Sequence, residues 1–67
     1  MAVYNVIERL DSGTVVVAVI KDGEVTGTEA SMVQELLDEQ GWTKDKDPRR
    51  ILHGDRLFAV LVEESNS

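Results

Sequence analysis

Two stretches of the chain are apolar without interruption: VVVAVI at 15–20, and LFAVLV at 57–62, inside the longer RLFAVLVEE of 56–64. A half-exposed strand alternates apolar with polar residues, so unbroken runs of this length predict strands covered on both faces. In the second run Leu57, Ala59 and Leu61 take one face and Phe58, Val60 and Val62 the other. An earlier segment, Ala2 to Leu10, also has strand composition. Tyr4, Val6 and Leu10 alternate there with Asn5 and Arg9, while Val3 and Ile7 place apolar groups on the opposite face.

The breaks between these segments are turns. Asp11-Ser12-Gly13 combines an Asx-type turn residue with a glycine free to take positive φ, which predicts a hairpin into Thr14 to Lys21. Asp22-Gly23 is a stronger signal, because a type I′ turn needs positive φ at both central residues and this dipeptide tolerates it. A short, polar third strand, Glu24 to Gly27, follows and suits a sheet edge. The period then changes to that of a helix. Ala30, Val33 and Leu37 form a stripe flanked by Met32 and Leu36, with Glu35, Asp38 and Glu39 pointing away. Thr28 or Ser31 is expected to cap its start, supported by Glu29 or Gln34, and Gly41 to end it. Asp38 and Glu39 in the last turn oppose the helix dipole.

The elements assemble into a small α+β domain over 1–64 in the order ββ(β)αβ: a mostly antiparallel sheet of three to four strands with one helix on one face, ordered 3-2-1-4. Residues 65–67 are a polar tail. One helix covers one face only, so the doubly apolar strands need a second cover. Either the long segment containing Trp42 and residues 43–55 supplies it, or a second copy of the chain does. The expectation is a homodimer or larger assembly, formed through the sheet face bearing Phe58, Val60 and Val62 or by pairing along the exposed fourth strand.

Size sharpens this expectation. A chain of 67 residues buries only about 60% of the surface it exposes when unfolded, and such domains commonly lean on disulfides, a metal or self-association. There is no Cys and a single His, which leaves association. No leader-like segment is apparent and the longest apolar run is too short to span a bilayer, so the chain reads as soluble, unprocessed and cytoplasmic. Seven Lys and Arg stand against thirteen Asp and Glu, and residues 1–40 hold eight acids with only Arg9 and Lys21 as bases. That field repels a phosphate backbone and attracts a basic protein surface. No direct nucleic-acid or membrane contact is expected.

One stretch concentrates the chemistry. KDKDPRRILHGDR, 44–56, holds five of the seven basic residues with the only His and the only Pro. Asp45 and Asp47 have calcium-loop spacing, but Arg50 and Arg56 stand where that loop needs Gly and a bidentate Glu. His53 lacks co-ligands for zinc, and no Ser or Thr sits in a nucleophile elbow to use it. No cofactor, metal site or catalytic residue is expected. In the structural reading Pro48 punctuates a solvated loop, Ile51 and Leu52 re-enter the core, and His53-Gly54-Asp55 turns into the last strand. In the functional reading Arg49, Arg50, His53 and Arg56 cradle a small anion. The P-loop pattern is absent, and Tyr4, Trp42 and Phe58 are too isolated for a base-stacking platform.

In size and acidity the chain resembles small stoichiometric inhibitors, including phage-encoded ones that occlude basic nucleic-acid-binding surfaces. The leading expectation is accordingly a non-catalytic protein-interaction module, inhibitor or adaptor-like, that offers Glu29, Glu35, Asp38 and Glu39 to a basic partner. The alternatives are an oligomeric binder of a small anion through the arginine segment, and a structural subunit of a larger assembly.

Overall fold

In the computed structural model, which describes residues 2–64, β1 (Ala2–Leu10) and β2 (Gly13–Lys21) form a hairpin. β3 (Glu24–Thr26) folds back on β2, α1 (Ala30–Glu39) follows, and β4 (Leu57–Glu64) returns beside β1. The sheet is antiparallel throughout, in the order β3-β2-β1-β4. The tail expected over 65–67 lies outside the described residues. Asp22 (φ 51°) and Gly23 (φ 78°) take the paired positive φ values that their sequence implies.

α1 lies on the face carrying Tyr4, Val6, Ala18, Ile20 and Ala59, whose registers place them side by side. Val6, Val33 and Leu37 are shut off from solvent there. The helix begins differently from expectation. Neither Thr28 nor Ser31 caps it: Glu29 occupies the N-cap position without a side-chain bond, and the Thr28 hydroxyl donates instead to the Val17 carbonyl at 3.3 Å. The same carbonyl accepts from Glu29 N–H at 2.9 Å, so the chain enters the helix tied to β2. The C-terminus closes as a Schellman motif about Gly41 (φ 73°), with Trp42 N–H donating to Leu37 O at 2.9 Å and Gly41 N–H to Asp38 O at 3.1 Å.

Two bulges interrupt the sheet. Val6 opposes Ala18 but Ile7 opposes Val16, leaving Val17 as an extra residue that is buried along with Ala18. Tyr4 opposes Leu61 and Val3 opposes Glu63, so Val62 is extra in β4. Within one chain the run 15–20 is therefore not covered on both faces: Val15 and Val16 are exposed near the hairpin end.

The segment after α1 packs on the helix side. Trp42 and Leu52 join the core, and the Trp42 indole N–H donates to Lys46 O at 2.9 Å. Pro48, expected in a solvated loop, is fully buried. It begins a 3-10 turn (Pro48–Arg50) that Asp47 caps by accepting from Arg49 N–H at 2.9 Å. Residues 52–54 then run beside the start of β4, with Ala59 N–H donating to Leu52 O at 2.8 Å and Gly54 N–H to Leu57 O at 2.9 Å. That contact covers part of the edge which the sequence left open to pairing. The opposite face of the sheet lies away from the helix, and this segment reaches it only at its edge, where His53 is bridged to Phe58. Register places Val3, Asn5, Ile7, Val16, Val19, Phe58 and Val60 on it, and none of them is buried.

Candidate functional site

The acidic residues of α1 stand on its solvent side, as helical spacing dictates once Val33 and Leu37 face the sheet. Glu35, Asp38 and Glu39 are exposed and line a broad groove with Gln34, Ser31, Ala30 and Val25, the last contributed by β3. The groove thus has an apolar floor and an acidic rim. Gln34 Nε2 donates to Asp38 Oδ1 at 2.9 Å, but no Lys or Arg pairs with these acids: among the described residues the only ion pair is Asp47–Arg49. Glu29 is exposed at the other end of the helix, where its charge suits the dipole. At the C-terminus the dipole is met by Lys46, whose Nζ approaches Gly41 O at 3.4 Å.

The basic segment is distributed over more than one surface. Arg49 is clamped to Asp47, with Nη2–Oδ2 at 2.6 Å and Nε to both carboxylate oxygens at 3.0 and 3.1 Å. Its guanidinium also lies 5.6 Å from the Tyr4 ring centre. The hydrogen bonds from Arg49 hold the Asp47 carboxyl below the usual carboxylate range. Burial, reinforced by the Asp47 charge, pushes the Tyr4 phenol up. The Thr43 hydroxyl donates to Asp45 and lowers that carboxyl too. Arg50 and His53 share a small cleft with Leu36, Gln40, Ile51 and Leu52, whereas Arg49 and His53 border a second one with Arg9, Asp55 and Phe58. Arg56 lines neither. Among the described residues no three His, Cys, Asp or Glu side chains gather as a metal site, and no helix is long and apolar enough to cross a membrane.

Two features escape a reading by residue type. Val25 forms part of the acidic groove because β3 pairs Val25 with Ile20 and turns it to the helix side. Asn5 lies amid the open apolar face, opposite Val19 and Val60. Alternation along β1 was the available signal for the latter, and it needed the register to show what surrounds Asn5.

The chain matches no known family model, no curated protein and no solved structure.

Proposed function

We propose that the protein is a non-catalytic interaction module, an inhibitor or adaptor, that docks the acidic side of α1 against a basic surface of another protein. The observation that supports this reading is the groove bounded by Val25, Ala30, Glu35, Asp38 and Glu39, whose carboxylates have no cationic partner among the described residues. Unpaired acids raise the field over one face, and that field accelerates encounter with a cationic surface. The apolar floor offers contact area for the stem of an approaching Lys or Arg.

The test is a pair of triple variants compared in capture from the host that carries the sequence. A protein retained by the wild type should be lost by Glu35→Lys/Asp38→Lys/Glu39→Lys and kept by Arg49→Ala/Arg50→Ala/Arg56→Ala. Its association rate should fall with added salt for the wild type and for the arginine variant alike, since both keep the acids that steer it. Retention by the acid-reversed chain together with loss by the arginine variant sinks the reading and moves the site to 49–56.

A further inference from the structure

The open face of the sheet is the least acidic surface of a strongly acidic molecule. Its apolar residues Val3, Ile7, Val16, Val19, Phe58 and Val60 are contiguous across β2, β1 and β4. Val16 is 48% and Val60 37% exposed. The registers put Lys21, Glu24 and Glu63 at one end and Arg9 at the other, where the bond from Arg9 N–H to Arg56 O sets Arg56 beside it, so three cations and two acids flank the face in a chain whose net charge is -6. A basic partner has no electrostatic reason to choose this face over the helix side. Two copies of an acidic chain do, because joining through their least acidic faces keeps the remaining acids apart.

We infer that a second copy of the chain covers this face, stacked sheet on sheet about a two-fold axis that sets the strands antiparallel. The end charges favour that orientation. Arg9 extends over Phe58 at one end, 5.5 Å from the ring centre, while Glu63, Lys21 and Glu24 mark the other. Reversing the strands brings Arg9 of each copy to the end carrying Glu63 in the other. Asn5 supplies the second argument. It is half-buried between Val19 and Val60 near the middle of the face. An amide carries both donors and an acceptor, so Asn5 can bond its own symmetry mate across the axis and fix the register, as a single core asparagine does in coiled coils. The size is adequate. Three strands of this length give a flat footprint on the order of 450 Å² per copy, which side-chain relief enlarges toward the roughly 500–800 Å² per partner of specific interfaces. Pairing along β4 is the weaker route, since residues 52–54 cover part of that edge and the rest ends in Glu63 and Glu64.

The interface and the acidic groove lie on opposite sides of the sheet, so the two readings fail independently. Sedimentation equilibrium of the full chain, from about 10 to about 500 µM, should show a dimer. Val60→Lys, at an exposed position that a monomer tolerates, should weaken it at least about ten-fold with an unchanged circular dichroism spectrum. Asn5→Asp, close in shape, should weaken it similarly at pH 7, where two carboxylates meet at the axis, and recover toward wild type near pH 4. The Glu35/Asp38/Glu39 triple reversal should leave it unchanged. A wild type that stays monomeric across the range overturns the proposal. So does a dimer indifferent to both Val60→Lys and Asn5→Asp, which would place the contact on the β4 edge or the helix.

Discussion

Gly27 crosses β2 so closely that a Cβ on it would stand 2.8 Å from the Cα of Ala18 and 2.9 Å from the Val17 carbonyl oxygen. The crossing occurs beside the β2 bulge, where Val17 O receives both Glu29 N–H and the Thr28 hydroxyl. β3, the bulge and the start of α1 are thus one joint, and the glycine is its closest contact.

Gly27→Ala combines a positive φ of 121° with a collision against backbone that cannot swing aside. Gly41 also has positive φ, 73°, but nothing lies within 4 Å of its added Cβ. Gly41→Ala should therefore cost on the order of 1 kcal/mol, the conformational penalty alone, and Gly27→Ala clearly more. Urea denaturation of the two variants checks the ranking. Equal losses would mean that β2 yields to the added methyl group.

The local signals that proved legible share a physical origin: they concern φ at one or two residues. Asp22-Gly23 and Gly41 adopt the backbone their sequence implies, and the close approach of Lys44 to Gly23 uses the missing side chain without disturbing the turn. The β2 bulge was hidden, since in VVVAVI every position is apolar and a slip of one residue leaves no mark on the pattern. The helix start departs from its local signal because the Thr28 hydroxyl donates to Val17 O, eleven residues upstream, instead of accepting an N–H of the first turn. Local signals alone place Pro48 in a solvated loop. It is buried instead, beside a cleft that it lines with Tyr4, Ile20 and Trp42, residues from three other parts of the chain. For the same reason the arginine segment looked like a cluster, although Asp47 engages Arg49 and different clefts receive Arg49 and Arg50.

Trp42 anchors the segment that the sequence left undefined, by burying its ring and by the indole bond to Lys46 O. Trp42→Phe keeps an aromatic ring and removes the donor, so it should lose about 1 kcal/mol from the bond, with the smaller ring adding to the loss. Trp42→Ala should lose about 3–5 kcal/mol. In hydrogen exchange, amides of 46–52 should gain exchange rate more than those of β1 in the phenylalanine variant. Uniform acceleration over the whole chain would contradict a local anchoring role.

Asp47 gives the fold a defined acid dependence. Its pKa is lowered in the folded chain, chiefly by the hydrogen bonds from Arg49. A carboxyl depressed on folding contributes stability above its unfolded value of about 3.9, and that contribution disappears as pH falls through the lower, folded value. Wild type should therefore exceed Asp47→Asn in melting temperature by a constant margin from about pH 5 to about pH 8, and the margin should shrink below about pH 4. A margin that persists at about pH 2 would contradict this, because the protonated carboxyl and the asparagine amide can each still cap the 3-10 turn and the ion pair is then gone.

The last turn of α1 sets two electrostatic demands against each other, and substitution there separates them. Asp38 and Glu39 oppose the dipole, while Lys46 reaches the Gly41 carbonyl from the following loop and offsets part of the conflict. Asp38 is held by Gln34, so its replacement also removes a side-chain hydrogen bond; Glu39 has no such bond among the described residues. Glu39→Lys should thus be the cleaner change, stabilising by about 0.3–1 kcal/mol at low ionic strength and less in 1 M salt. In a Lys46→Ala background the same substitution should gain more, because the carbonyl end then lacks its own cation and the new lysine meets no like charge. Thermal melts of the four-member cycle give the coupling directly. Should Glu39→Lys destabilise the chain in both backgrounds, Glu39 has a structural role in the monomer, and its exposed carboxylate is not held in reserve for a partner.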